Sequence, residues 1–246
     1  MIEFIFKEVP RLNFTVLILC QHIILGLSGK PFDTGYRLQD LAVVLSKFSK
    51  YAEKEHVMTE FYELLTKRRS IRDFEDKKVT LEIIKEIIKE SCLAPSSGNG
   101  QPWRFIIVND KDLIKSLSDE SKKNILSYIE KNPDSPSKKY ETALRNPAFN
   151  VFYNAPCLVF IVGPKQIRSL HVDCALAACY FMFSASARDL GTCWIGFGTN
   201  IQDPDLLNLI GMPEDHEIVA PIIIGYPKSA PDLPERMEPQ ILKILF

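Results

Sequence analysis

The apolar positions of residues 58–246 follow two patterns, one typical of helices and one typical of buried strands. Apolar residues at three- and four-residue spacing predict helices over 60–68, 81–93, 111–131 and 171–190. Continuous apolar runs predict strands over 103–109, 155–163, 192–198 and 217–227, with a short helix between the last two. Helices and strands in this mixed order predict an α+β or α/β fold in which helices flank one sheet.

Two of these helices have distinctive faces. Thr80 is expected to cap the second helix. The side chains of that helix predicted to face inward are Leu81, Ile84, Ile87, Ile88 and Leu93. Residues 171–190 are small and apolar on nearly every side, which predicts a helix buried all round, at the fold centre or a subunit interface. Gly191 is expected to end that helix.

The connecting and terminal segments are predicted from their polarity. Residues 132–140 are polar and contain proline, which predicts a loop. The tail after 227 is extended and proline-rich, and its last residues, 241–246, are strongly apolar. We expect those residues to pack on something, such as a partner subunit.

Residues 1–57 form a separate N-terminal extension in this interpretation, and the main domain, 58–246, begins with Thr59 as a helix cap. The apolar stretch 14–27 is shorter than the roughly 20 residues that a spanning helix needs. No A-x-A cleavage site follows it. Residues 38–56 have the spacing of an amphipathic helix. We expect no stable membrane association and find no chemistry in this extension.

The balance of charges excludes several classes of partner. The 246 residues include 30 basic and 31 acidic side chains, whereas general nucleic-acid binders usually carry a basic excess. The six cysteines form no CxxC pair and have no histidine at zinc-ligand spacing. We therefore expect buried free thiols in a cytoplasmic protein that binds neither nucleic acid nor metal.

Three arginines surround one serine in the stretch RRSIRDF. The guanidinium groups of Arg68, Arg69 and Arg72 can bind phosphate through paired hydrogen bonds, and the hydroxyl of Ser70 adds another donor. Two other interpretations stay open from these residues alone. The cluster can be a solvated, charged helix end, or Ser70 can be the target of a kinase.

Two glycine-bearing segments are candidate ligand contacts. In 94–103, APSSGNGQPW, small residues leave backbone N–H groups free. The same segment carries the polar side chains of Ser96, Ser97, Asn99 and Gln101. In 191–198, GTCWIGFG, Gly196 and Gly198 would let a flat ligand approach the strand closely. The competing interpretations are an ordinary turn for the first segment and close packing for the second.

The chemistry that the sequence lacks narrows the choice further. It contains no P-loop GK[ST], no Rossmann GxGxxG and no nucleophile motif GxSxG. If the protein is an enzyme, its reactivity is therefore expected to come from a cofactor. A phosphate clamp, polar loop donors and a glycine-bearing strand would suit a phosphorylated, flat ring system.

Five segments, in this order, resemble the nitroreductase family of flavin mononucleotide (FMN) oxidoreductases. They are FYELLTKRRSIRDF, APSSGNGQPWRFIIV, FYNAP, DLGTCWIGFG and IIIGYP. The resemblance extends over 61–245 and does not include 1–57. It implies a three-layer α+β fold with a mostly antiparallel central sheet flanked by helices. It also implies an intertwined homodimer with two FMN sites at the interface and a C-terminal tail that embraces the partner.

The resemblance further implies which residues contact FMN. The phosphate, ribityl chain and pyrimidine edge would be contacted by Arg68, Arg69, Ser70 and Arg72. A second set would come from the other subunit, with Asn99 at the ring system: Pro95, Ser96, Ser97, Asn99 and Gln101. Ile195 and Gly196 would lie along the isoalloxazine near N5. Arg236 would reach the phosphate from the tail, although Glu235 changes the usual spacing of basic residues there.

The implied reaction is a ping-pong transfer of hydride. NADH or NADPH would reduce the flavin at N5 and leave, and an electron-poor acceptor such as a nitroaromatic or quinone would then be reduced in the same place. No side chain is implied as a catalytic residue, but Arg72 and Gly196 would assist. Three alternatives stay open: a reductive dehalogenase-like enzyme with 130–150 as a lid, a non-catalytic FMN-binding regulatory protein, and a membrane-tethered flavoprotein.

Overall fold

The computed structural model describes residues 60–246, so the predictions for residues 1–57 and for Thr59 lie outside the described residues. The sheet has four strands: β1 (Arg104–Val108), β2 (Cys157–Pro164), β3 (Gly191–Trp194) and β4 (His216–Gly225). Every neighbouring pair is antiparallel, and the order across the sheet is β1-β2-β4-β3. The predicted strands and the α+β class are therefore confirmed, with β1 and β3 at opposite edges.

The helices follow the predicted order. They are α1 (60–67), α2 (Leu81–Ser91), α3 (Lys111–Lys131), α4 (Glu141–Arg145), α5 (Leu170–Ser186) and α6 (Pro204–Leu209). Thr80 caps α2 as expected, because its hydroxyl accepts a hydrogen bond from the N–H of Ile83 at 3.4 Å. Ile84 and Ile87 are fully buried, whereas Leu81 and Leu93 are exposed, so the predicted inward face was too wide.

Helices cover both faces of the sheet. On one face, α3 packs its apolar side chains, including Leu117, against Phe160 of β2. On the other face, α2 and α5 pack side chains such as Ile87 and Phe181 against Val159 of β2. Successive residues of β2 alternate between the two cores, as a strand buried on both sides requires. This arrangement has three layers, with helices outside and the sheet between them.

The long helix ends earlier than predicted. Asp189, rather than Gly191, takes the left-handed conformation, with φ of 58°, and the N–H of Leu190 donates to the carbonyl of Ala185. That is the usual closure of a helix by a left-handed residue and a long reverse hydrogen bond. Gly191 instead begins β3, where a Cβ would lie 2.7 Å from the side chain of Ile71. The glycine is needed for close packing between β3 and the segment that contains Ile71.

Helix α5 is buried on one side only within a single chain. Ala177, Ala178 and Phe181 are fully buried, but Val172 and Tyr180 on the opposite side are exposed. The expectation of a helix buried all round is therefore wrong for one chain, because α5 lies on the outside of the sheet. Its outer face is apolar and uncovered in the single chain.

Three further predictions needed correction. Residues 132–140 are not a plain loop, since they contain a 3-10 turn (Pro136–Tyr140), and α4 follows directly. The glycines of 192–198 are not on a strand, because β3 ends at Trp194 and a 3-10 turn (Gly196–Thr199) follows. The five described cysteines are free, but only Cys157, Cys174 and Cys193 are buried. Burial raises the pKa of Cys157 to about 12.

Candidate functional site

The segment that carries the arginines runs beside the edge of the sheet. Ser70 forms an isolated parallel bridge with Thr192 of β3, and the N–H of Ile71 donates to the carbonyl of Thr192 at 2.9 Å. Four residues further on, Phe74 bridges to Pro227 after β4. The close approach at Gly191 makes this pairing possible. The backbone around Ser70 is thus fixed by its pairing with the edge of the sheet.

The three arginines of the segment have different surroundings. Arg69 is buried, and its guanidinium donates to the carbonyl oxygens of Thr66 and Arg68 at the end of α1. Arg68 has no hydrogen-bond or ion-pair partner for its guanidinium among residues 60–246. Arg72 is exposed and makes only a long hydrogen bond of 3.4 Å to the carbonyl of Ser70, with its guanidinium 5.6 Å from the Tyr153 ring.

Arg68, Ser70 and Arg72 converge on one buried thiol. Burial raises the pKa of Cys193 in β3, while the guanidinium of Arg72, the hydroxyl of Ser70 and the guanidinium of Arg68 all act to lower it. The two arginines therefore share one small region, and no described carboxylate is paired with either. Nearby Lys67, in contrast, is paired with Asp189 at 2.6 Å. Unpaired guanidinium groups beside a hydroxyl form a suitable site for an anion.

Gly196 opens a surface at the end of β3. A Cβ on Gly196 would meet no atom within 4 Å, whereas a Cβ on Gly198 would lie 2.7 Å from Phe152 and Pro221. Gly198 is thus a packing glycine, and Gly196 leaves exposed backbone next to the buried Ile195. Gly198 therefore fits the interpretation of close packing, whereas Gly196 stays a candidate for ligand contact.

Polar residues of α3 hold this turn in place. The hydroxyl of Ser121 donates to the carbonyl of Phe197 at 2.7 Å, and the side-chain amide of Asn124 donates to the carbonyl of Asn200 at 2.9 Å. Sequence reasoning did not single out either residue. The sequence pattern that could have indicated them is two polar side chains, three residues apart, on the inward face of a helix.

The second predicted segment, 95–101, is a tight polar turn. Gly98, Asn99 and Gln101 all have φ between 44° and 56°, in the left-handed region. Left-handed non-glycine residues carry strain of order 1 kcal/mol each and are enriched at functional sites. The Ser96 hydroxyl accepts from the N–H of Gln101 at 3.1 Å, and the Gln101 amide donates to Asn99 Oδ1 at 3.0 Å. Pro95, Ser97, Asn99 and Gln101 are exposed.

The two predicted sets of residues do not meet within one chain. The segment 95–101 precedes β1 and contacts the first turn of α5 through Asp173. The arginine segment lies beside β3 and forms a concavity with Ser186 and Asp189 at the other end of α5. A helix of 17 residues is about 25 Å long. One small ligand cannot therefore contact both sets in the same chain.

The remaining predicted residue lies apart from both sets. Arg236 is in the extended, exposed tail and makes no hydrogen bond or ion pair with another described residue. Among residues 60–246 there is no cluster of side chains able to hold a metal ion. In the same part of the chain, no helix is both long and apolar enough to cross a membrane.

Comparisons with known proteins agree with this fold. Residues 65–226 match the model of the nitroreductase family. Iodotyrosine deiodinase 1 of Sus scrofa is 30% identical over 212 residues, which are 79% of this chain and 72% of that protein. A protein of Archaeoglobus fulgidus, whose name proposes NADH dehydrogenase or NAD(P)H nitroreductase activity, is 27% identical over 72% of this chain and 91% of its own.

Solved structures show the same fold. A nitroreductase of Bacteroides fragilis with bound FMN superposes with a TM-score of 0.63 at 23% identity, covering 75% of this chain and 97% of that one. An iodotyrosine deiodinase bound to FMN and 3-iodo-L-tyrosine gives a TM-score of 0.60, also at 23% identity, over 75% and 99% of the two chains. These matches, together with the sheet order and the flanking helices, identify the nitroreductase fold. The chain belongs to the nitroreductase family.

Proposed function

We propose that this protein is an FMN-dependent oxidoreductase that passes hydride from NADH or NADPH to an electron-poor acceptor. The observation that carries the proposal is that the Arg68 and Arg72 guanidinium groups, neither of them paired with a described carboxylate, lie near Cys193 together with the Ser70 hydroxyl, and that Gly196, three residues further along the chain, leaves open space. An anion and a flat ring are the two parts of FMN that such a site would bind. The family membership and the FMN-bound solved structures support this choice of ligand.

The residues present fit FMN. Arg68, Ser70 and Arg72 would hold the phosphate, the ribityl chain and the pyrimidine edge, since they bring two cations and a hydroxyl together. Arg69 would contribute chiefly by fixing the backbone, because its guanidinium is buried and donates to two carbonyl oxygens at the end of α1. Ile195 and Gly196 would line one face of the ring, where a Cβ is absent and no other atom fills the space.

The complete site would be formed by two copies of the chain. The polar turn 95–101 lies at the opposite end of α5 from the arginines, so a second copy would have to supply it. The uncovered apolar face of α5, with Val172 and Tyr180, offers a surface for that copy. The tail adds Leu242, Leu245 and Phe246, all largely exposed, and would carry Arg236 to the partner.

The protein's part in the reaction would be electrostatic. Bound FMN would supply the exchange of hydride between a nicotinamide and the acceptor. Arg72 would stabilise negative charge at the pyrimidine edge, as donors placed in advance do for developing charge. The turn at Gly196 would keep a backbone N–H fixed near the ring, since Ser121 and Asn124 hold that turn from α3. No side chain in this region is placed as a general acid.

The visible absorption spectrum of the purified protein tests the proposal. We expect a yellow protein that is bleached by NADH or NADPH without oxygen and regains its colour when a nitroaromatic or quinone is added. A protein that stays colourless after incubation with FMN would contradict the cofactor. A yellow protein that neither nicotinamide bleaches would favour a non-catalytic FMN-binding role.

A second candidate acceptor is a halogenated tyrosine. The identity of 30% to iodotyrosine deiodinase 1 supports it. The segment 140–149 supports it too, because it contacts the turn that begins at Gly196. Lys122 is buried and donates to the carbonyl oxygens of Asn146 and Phe149, at 2.9 and 2.8 Å, which ties this segment to α3. Tyr140 in the same segment stacks edge-on against Phe197 at 5.2 Å. These aromatic rings would form one wall for a substrate ring.

Two assays on the same reduced protein separate the two acceptors. One measures the release of iodide from 3-iodotyrosine, and the other measures the reduction of a nitroaromatic. A 4-substituted iodophenol is the matched control, because it lacks the charged amino-acid group. Faster turnover of iodotyrosine than of both other compounds would favour the dehalogenase. Equal or absent iodide release would favour the nitroaromatic or quinone acceptor.

A further inference from the structure

Asp173 is a buried carboxylate that no motif of the sequence explains. It lies in the first turn of α5 and is only 2% exposed, yet it has no ion-pair partner among residues 60–246. Its two oxygens accept one hydrogen bond each. Oδ1 accepts from the backbone N–H of Ser97 at 2.9 Å, and Oδ2 accepts from the hydroxyl of Ser169 at 2.8 Å.

This pair of hydrogen bonds links α5 to the strained turn. Ser97 begins the 3-10 turn (Ser97–Asn99), and the residues that follow it include the left-handed Gly98, Asn99 and Gln101. The turn is otherwise held by its own hydrogen bonds, as between Ser96 and Gln101, and by a hydrogen bond of 3.3 Å from the Arg104 guanidinium of β1 to the carbonyl of Gln101 at the end of the turn. Asp173 is therefore the buried side chain that fixes the start of the turn to helix α5.

Stability alone is a poor reason for a carboxylate in this place. Burying an ionised group is costly unless hydrogen bonds satisfy it, and an apolar residue would fill the same space at less cost. The first turn of a helix favours negative charge, which reduces the penalty for Asp173. A charge-assisted hydrogen bond to a backbone N–H is also stronger and more directional than a neutral one.

We infer that Asp173 is a positioning residue for cofactor binding: it holds the 96–101 turn in the strained conformation that presents Asn99 to FMN. The inference rests on the proposed function, because it takes this turn to be a contact of FMN. Asp173 itself is buried beneath the turn and would not touch the cofactor. Its effect would reach FMN through the backbone of Ser97.

The test measures FMN binding to three variants by titration, with the quenching of FMN fluorescence as the signal. Asp173→Ala removes the acceptor, and we expect the FMN dissociation constant to rise at least about tenfold. Asp173→Asn keeps an oxygen facing the Ser97 N–H, so it should recover most of the affinity. Ser184→Ala is the matched control, because it removes a side-chain hydrogen bond to Glu90 from the same helix, far from the turn. Its affinity should stay within about twofold of the parent protein.

Hydrogen–deuterium exchange of the FMN-free protein provides a second, independent readout. Exchange should become faster only at the 96–101 amides in Asp173→Ala and should be unchanged there in Ser184→Ala. Unaltered FMN affinity in a folded Asp173→Ala protein, or unaltered exchange at 96–101, would overturn the inference. If the parent protein itself binds no FMN, the proposed function fails, and the exchange comparison still decides whether Asp173 fixes the turn.

Discussion

The arginine segment 68–74 and the polar turn 95–101 are both predicted to contact one cofactor, but the fold treats them in different ways. The first is paired with β3 through its backbone, at Ser70 and Ile71, and keeps two guanidinium groups free. The second has no strand to pair with. It is held by its own hydrogen bonds, by the Arg104 guanidinium at its end, and by one buried carboxylate, that of Asp173, at its start.

The two segments would therefore contribute differently to the proposed site, and we call them its two half-sites. The sheet provides a rigid base for charge, while the strained turn provides polar contacts whose geometry depends on a single link to α5. The half-sites lie at opposite ends of α5, so that the proposed site would not be complete in one chain. Each half-site, and the surface that would join two copies, can therefore be tested separately.

The largest expected effect is the loss of both free guanidinium groups. The double substitution Arg68→Ala and Arg72→Ala should raise the FMN dissociation constant roughly 1000-fold, since each charge-assisted hydrogen bond contributes about 2 kcal/mol. Titration with FMN measures it. Arg145→Ala is the matched control, because that guanidinium is already paired with Glu130 and Glu141, at 3.0 and 2.9 Å. Equal affinity in the double variant and the control would remove the arginines from the site.

The next effect concerns the surface that would bring the half-sites together. A charge at Val172 or Tyr180 would be buried without a partner in the proposed dimer, so Val172→Glu and Tyr180→Glu should weaken dimerisation roughly 100-fold. FMN affinity should fall with it. Analytical ultracentrifugation measures the assembly, and Leu209→Glu on α6, which is equally exposed, is the control. A Val172→Glu dimer that still binds FMN would place the interface elsewhere.

A smaller effect is expected on the reduction potential. Arg72→Ala should lower the midpoint potential of bound FMN and the turnover, because a positive charge that favours the reduced, more negative form is lost. A tenfold change in relative affinity for the two redox forms is about 30 mV for a two-electron couple. Spectroelectrochemistry checks the value. A potential unchanged by the substitution would restrict Arg72 to binding.

The smallest effect tests a contact that belongs to neither half. Hydrogen bonds from Arg188 and then from Ser184 hold the pKa of Glu90 at about 2, below its ordinary value of 4.5. The folded-state pKa is lowered, so this contribution to stability is present above pH 4.5 and is lost as the pH falls towards 2. Glu90→Gln should lower the melting temperature near neutral pH, and its difference from the parent protein should shrink over that range.

Because Glu90 joins α2 to α5 away from both half-sites, the same substitution should leave FMN affinity unaltered. Thermal melts at several pH values, together with one FMN titration, provide both measurements. A melting-temperature difference that does not depend on pH would mean that the carboxylate charge contributes nothing to stability.

The sequence predicted the strands well because their apolar runs are long and buried on both faces, as in β2. It predicted the end of α5 wrongly because a glycine at 191 imitates a helix stop, whereas its absent Cβ is needed beside Ile71. The outer face of α5 could not be assigned, since burial in a partner and burial in a core require the same apolar residues.

The residues of the candidate site also differ in how far the sequence alone could identify them. Motif residues such as Ser70 and Asn99 could be selected from the sequence, because short motifs keep their chemistry close together. Asp173 and Ser121 could not be selected, because each acts 76 residues away from its partner in the chain. Only the fold brings such pairs together, because a single polar residue on a helix does not indicate its distant partner.

The most direct test of the central claim is a complementation experiment with two differently tagged chains. One chain carries Arg68→Ala and Arg72→Ala, and the other carries Asn99→Ala and Asp173→Ala. If each site takes its arginines from one copy and its turn from the other, the purified heterodimer has one intact site and should bind one FMN, while both homodimers bind weakly. A heterodimer that binds no FMN, although the parent dimer binds two, would show that each site belongs to a single chain and would contradict the account.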